Sequence, residues 1–150
     1  MQTLKIEIPQ GFEVASFDQS TGQITFKEKP KNVMERIKNI DDVLADNSLT
    51  KQAFTIQCHG LDTDEQAYRI LKLLAKSLNE GWTPDWNDDN QYKYYPRFYM
   101  GVSSGFRFYD CDGWNTNSYV GSRLCFKSRE LAEYAGKQFT DVYKQFMLIK

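Results

Sequence analysis

Twelve aromatic side chains fall between Trp82 and Tyr119, three Trp, six Tyr and three Phe, set among Asn, Asp and Gly. This mixture most constrains the fold. Alternating rings broken every few residues by turn formers suit short antiparallel strands, not a helix. Strands are expected at Tyr94–Met100, Gly105–Tyr109 and Ser118–Phe126, joined through Ser103-Ser104-Gly105 and through residues 111–117. The preceding stretch, residues 83–93, is polar and reads as a loop.

Elsewhere the chain alternates strand and helix signals. Leu4 to Ile8 alternates at period two and reads as a strand. Phe12–Phe17 and Ile24–Phe26 flank the turn Asp18-Gln19-Ser20-Thr21-Gly22, which predicts a hairpin. Pro30 suits a helix start, and Val33, Met34, Ile37 and Ile40 are spaced for a short helix that residues 41–45 either continue or follow as a separate turn. Residues 52–58 read as a short strand with imperfect alternation.

The clearest helix runs from Thr63 to Asn79. Asp62 and Glu65 have capping-box spacing, and Gly81 stands where a helix ends. Its apolar stripe is Ala67, Ile70, Leu71, Leu74, Ala75 and Leu78, with Trp82 placed to pack on the last turn. A final helix is expected from Ser128 to Met147, with Leu131, Tyr134, Ala135, Phe139, Val142, Tyr143 and Phe146 inward. Gly136 inside it costs about 1 kcal/mol relative to Ala, which implies a close approach to another element. The expected class is α+β: a mainly antiparallel sheet from an N-terminal hairpin and a C-terminal meander, packed by two longer amphipathic helices and one short one. One domain over residues 1–150 is expected, with 46–50 the best place for a subdivision.

Bulk properties narrow the function. The net charge is -1, so no global field steers the chain to nucleic acid or membrane. Residues 1–90 carry ten Lys/Arg against fifteen Asp/Glu, and residues 91–150 nine against five, so the sign is uneven along the chain. Three cysteines at wide spacing do not suggest a secreted disulfide framework. No apolar run reaches membrane-span length, and the start lacks a signal-peptide pattern, so a cytoplasmic protein without membrane partners is expected.

Three segments carry a resemblance. Residues 4–29 (LKIEIPQGFEVASFDQSTGQITFKEK), 86–100 (WNDDNQYKYYPRFYM) and 122–147 (SRLCFKSRELAEYAGKQFTDVYKQFM) resemble uncharacterised small proteins of gut Bacteroides-type bacteria and their prophages. The resemblance covers roughly half of the chain. It implies a bacterial or prophage setting and an accessory or interaction role, and it supplies no active-site residues.

The aromatic belt admits two readings. In one, Tyr95, Tyr99, Phe106 and Phe108 are core and its rim. In the other, Trp82, Trp86, Tyr92, Tyr94 and Trp114, with Arg97 and Arg107, form a contact surface built from the 82–95 and 110–117 loops. Tyr and Trp offer large contact area at low entropic cost. The partner expected is another protein. Interleaved Lys93, Arg97, Arg107, Arg123 and Lys127 leave single-stranded nucleic acid as the first alternative, although no RNA-binding sheet signature is present.

No catalytic residue, metal site or cofactor is expected. Asp85, Asp88 and Asp89, and Asp110 with Asp112, are oxygen donors at short spacing. A calcium loop starting at Asp110 would need Gly where Asn115 stands. Cys58-His59 invites a nucleophile or zinc reading, but neighbours on a strand point to opposite faces. The second alternative is an unrecognised enzyme, which a pocket joining His59 to one of the acidic loops would favour. Gly101–Gly105 lacks the Lys-Ser or Lys-Thr pair of a phosphate loop.

Overall fold

Helix capping and one buried stripe organise the larger part of the chain. A computed structural model describes residues 5–29, 31–101 and 105–149. It is α+β, with two antiparallel two-stranded sheets and six helices among the described residues. The chain divides into two compact units, residues 1–32 and 33–150. Residues 46–50, where the sequence suggested a subdivision, lie inside the second unit.

The first unit is the expected hairpin: β1 (Phe12–Phe17) pairs antiparallel with β2 (Ile24–Glu28). Asp18 closes its turn. The Asp18 carboxylate accepts from the Ser20 backbone N–H at 2.8 Å and the Ser20 hydroxyl at 2.6 Å, while Gly22 takes a φ of 70°. Residues 5–8 form no strand, and Leu4 lies outside the described residues. An alternating segment needs a neighbour to satisfy its backbone, and among the described residues the strands of the hairpin pair with each other.

In the second unit, α1 (Val33–Arg36) and α2 (Ile40–Asp46) are separate helices. Asn39 makes the break: it accepts from the Asp42 backbone N–H at 3.0 Å, and the Asp42 carboxylate accepts from the Asn39 N–H at 3.2 Å. Pro30, the suggested helix start, lies outside the described residues. Residues 52–58, expected as a short strand, instead fall largely in α3 (Lys51–Gln57), capped by the Thr50 hydroxyl on the Ala53 N–H at 3.1 Å. That cap satisfies a free helix donor, and it outweighs an imperfect alternation.

Helix α4 (Thr63–Asn79) starts as expected, with the Asp62 N–H donating to Glu65 at 3.0 Å. All six stripe residues are buried. Glu80 takes the left-handed conformation at the end and Gly81 follows at a φ of 84°. The side-chain amide of the buried Asn79 donates to the Cys125 carbonyl at 2.9 Å and accepts from the Lys127 N–H at 2.9 Å. It therefore ties the backbone of residues 125–127 to the end of α4.

Strands β3 (Lys93–Tyr99) and β4 (Arg107–Trp114) form the second sheet. The expected third strand of the meander is reduced to one bridge between Tyr94 and Phe126, and β4 runs on as far as Trp114, into the residues expected as a loop. The suggested turn at Ser103-Ser104 lies outside the described residues. The last helix is two: α5 (Arg129–Gln138) and α6 (Thr140–Met147), broken at Phe139. There the Thr140 hydroxyl donates to the Gly136 carbonyl at 2.6 Å, the back-bond by which a threonine bends a helix. Helix α5 packs on both strands, and α4 packs on α6 and α2. Gly136 is where α5 meets the sheet. A Cβ there would stand 2.5 Å from Cδ2 of Phe108 and 2.7 Å from Cβ of Pro96.

Candidate functional site: the outer face of the strand pair

The β3–β4 ribbon has two unlike faces. Its inner face sends Pro96, Phe98, Phe108 and Cys111 toward the helices. Phe98 stacks on Phe106 at 4.9 Å and meets Tyr143 of α6 at 4.8 Å. Tyr94 belongs to this side. Its ring covers Gly113, where a Cβ would come within 2.7 Å of it, and the Arg129 guanidinium lies 6.0 Å from its centroid.

The outer face carries the rest. A bulge lies between the pairs Arg97–Asp110 and Phe98–Phe108, so Tyr109 is the extra residue. The bulge turns both Tyr109 and Asp110 outward. Tyr109 then meets Tyr99 at 4.4 Å between centroids. Arg107 lies 4.3 Å over Tyr99 and Arg97 lies 5.3 Å over Tyr109. Arg97 also bridges to Asp110 at 3.3 Å and to Asp112 at 3.5 Å. Tyr99 is 37% exposed and Tyr109 is 51% exposed, yet each ring is held by neighbours. Asp110 also accepts from Arg129 at 3.5 Å. The Cys111 backbone N–H above all holds the Asp110 carboxyl below the usual carboxylate range; burial opposes it, and Arg97 and Arg129 add to the lowering.

At the other end, two loops close over the same face. Lys93 is 1% exposed. Its ammonium donates to the carbonyls of Asn115 at 2.8 Å and Asp88 at 3.3 Å, and it lies 5.1 Å from the Trp86 ring. Three donors thus meet two carbonyl oxygens and one aromatic face, which satisfies a buried cation without a carboxylate. The Trp86 indole N–H donates to the Ser122 hydroxyl at 2.7 Å, and the Asn115 amide donates to the Asp89 carbonyl at 2.7 Å. Lys93 is therefore the hub joining the 82–92 and 115–122 segments.

The seven sequence-selected residues part company here. Arg97 and Arg107 lie together on the outer face. Trp114 borders it, 40% exposed, with its N–H donating to the Tyr95 hydroxyl at 3.2 Å. Trp86 is the lid over Lys93. Tyr94 faces inward, and the exposed Tyr92 stacks on it at 6.1 Å. Trp82 stands at the end of α4, its backbone N–H donating to the Asn79 carbonyl at 3.0 Å. In one of the two readings of the sequence Tyr99 is core or rim, and Tyr109 is one ring of the belt. The bulge that exposes Tyr109 has no local signal. Lys93 was noted only as one of several interleaved cations, and its neighbours come from two loops.

The other constellations resolve into structural roles. Asp85 accepts from the Asn87 N–H at 2.9 Å and Asp88 from the Asn90 N–H at 2.8 Å, so both shape turns. Among the described residues, no group of three or more potential metal ligands comes together. His59 is exposed in the turn after α3, while Cys58 is buried at the helix end. Burial pushes the thiols of Cys111 and Cys125 up to about 11, so both are protonated near neutral pH and poor nucleophiles. No helix among the described residues is long and apolar enough to cross a membrane. No known protein family, curated protein or solved structure matches the chain.

Proposed function

We propose that this chain is a non-enzymatic binding protein, an accessory factor of a bacterial or prophage system, that recognises another protein through the outer face of the β3–β4 ribbon. The observation that carries the reading is the Tyr99–Tyr109 pair. Two large rings stay open to solvent while Arg97 and Arg107 hold them in one arrangement. Rings that are already ordered lose little entropy on binding and bring much contact area, as interface anchors do. Trp114 and the 81% exposed Tyr119 extend the same aromatic surface.

Charge favours a protein over single-stranded nucleic acid. Asp110 and Asp112 neutralise Arg97, which leaves the face close to balance instead of forming a phosphate-binding groove. The test is affinity capture from bacterial lysate after nuclease treatment, comparing the wild type with a Tyr99→Ala/Tyr109→Ala variant of native circular dichroism. A protein partner retained by the wild type and lost by the variant is expected. A partner held equally by both, or a catch that disappears with nuclease, refutes the reading.

A further inference from the structure

Helix α4 presents an outward ridge between two clefts. On one side Trp82, Pro84 and Ala75 wall a cleft of about 450 Å³. On the other, half-buried Leu49, Phe54 and Leu73 line a second of about 260 Å³. Lys72 and Lys76 border both, Arg123 borders the first and Arg69 the second. No carboxylate is among the residues that line either cleft.

These four cations belong, with Lys38, Lys93, Arg107 and Lys144, to the cations of the second unit that form no ion pair among the described residues, and they are the ones that line the clefts. Arg36, Lys51, Arg97, Lys127, Arg129 and Lys137 each bridge to a carboxylate. Among the described residues, Arg69, Lys72, Lys76 and Arg123 bridge to none, and Lys72 lies instead 4.6 Å over the Tyr68 ring. A chain of net charge -1 thus keeps an acid-free strip beside two largely apolar recesses. Lys72 and Lys76 are one helical turn apart, about 6 Å along the axis. A ligand spanning the ridge therefore needs negative charge at its middle and an apolar group on each side.

We propose that the α4 ridge and its two clefts are a docking site for an acidic polypeptide segment with two apolar anchors. Each anchor fills one cleft, and the carboxylates between them meet Lys72 and Lys76. Nucleic acid fits less well. Trp82 is the sole ring in the first cleft able to take a base, and the second is floored mainly by aliphatic groups, whereas single strands bind to successive rings. The site is distinct from the ribbon face, and neither assignment depends on the other.

The test is selection of short random peptides by the full-length protein, followed by affinity measurements on the winners. Enriched peptides should carry Asp or Glu between two large apolar residues. Their affinity should fall with added salt and drop about tenfold or more in Lys72→Glu/Lys76→Glu. Lys72→Gln/Lys76→Gln serves if the reversed charges disturb folding, and it should weaken binding in the same direction. Tyr99→Ala/Tyr109→Ala should bind the peptides as the wild type does. The proposal is overturned if no peptide is enriched, if the enriched ones lack acidic residues, or if the lysine variants bind them unchanged. It is also overturned if the ribbon variant loses them. An oligothymidylate retained by the wild type and released by the lysine variants, without acidic peptide binding, would assign the strip to nucleic acid instead.

Discussion

Replacing Gly136 by Ala sets two known effects against each other with opposite signs. In a helix interior Ala is favoured over Gly by about 1 kcal/mol, so propensity alone predicts a more stable protein. The packing predicts the reverse. The new Cβ would lie 2.5 and 2.8 Å from two atoms of the Phe108 ring and 2.7 Å from Cβ of Pro96. Reaching an ordinary 3.4 Å contact requires the sheet and α5 to separate by nearly 1 Å at this point. Phe108 has little freedom to yield, because its ring also meets Phe98 edge-on at 6.2 Å. Overpacking of this kind costs about 1–3 kcal/mol, and a contact against a proline ring sits at the upper end. After the propensity gain, a net loss of about 1–2 kcal/mol is expected, or about 4–8 °C in the thermal midpoint. Urea unfolding followed by tryptophan fluorescence is the assay, since Trp82, Trp86 and Trp114 all lie in the second unit. Adding Phe108→Ala should relieve part of the strain, so the double variant should be more stable than the sum of the single effects by about 1 kcal/mol. A Gly136→Ala protein more stable than the wild type would refute the close-packing argument.

Two other perturbations address the hub and the hairpin. Lys93→Met strips the carbonyls of Asp88 and Asn115 of their ammonium donor and Trp86 of its cation, at a cost of about 1–3 kcal/mol. Amide exchange should accelerate across residues 84–92 and 115–122 while α4 stays protected, and unchanged exchange in those loops would show that Lys93 does not hold them. In the hairpin turn, hydrogen bonds from the Ser20 hydroxyl, then from the Ser20 backbone and Thr21, lower the Asp18 carboxyl from 3.8 to about 2. A lowered folded-state value means that Asp18 supports the turn above its ordinary value and loses that support as the pH falls from 3.8 toward 2. Carbon-detected NMR titration should find the low midpoint, and Ser20→Ala should raise it; an Asp18 midpoint near 3.8 in the wild type would remove this account of the turn.

Local chemistry is what the sequence displays well. Helix α4 was legible to its ends, because its cap at Asp62 and its apolar stripe are written within one segment. The β1–β2 hairpin and the start of α5 at Ser128 were legible for the same reason. Gly136 also announced its close contact, since a glycine in mid-helix needs a reason. Segments failed where two local signals competed. Residues 52–58 alternate weakly, but Thr50 just before them caps a helix. The last helix shows an unbroken stripe, while Thr140 disturbs it through its hydroxyl.

The α+β class and the aromatic belt were determined by sequence alone, because composition and periodicity act over a few neighbouring residues. The tertiary structure alone decided which rings are offered. Tyr109 is exposed because a bulge shifts the register of β4, and Trp86 is engaged because Lys93 lies beneath it. The acid-free clefts beside α4 likewise join Leu49 and Phe54 to Leu73, and Trp82 to Arg123. These pairings depend on which distant segments meet, and backbone hydrogen bonding and core packing select that over the whole second unit.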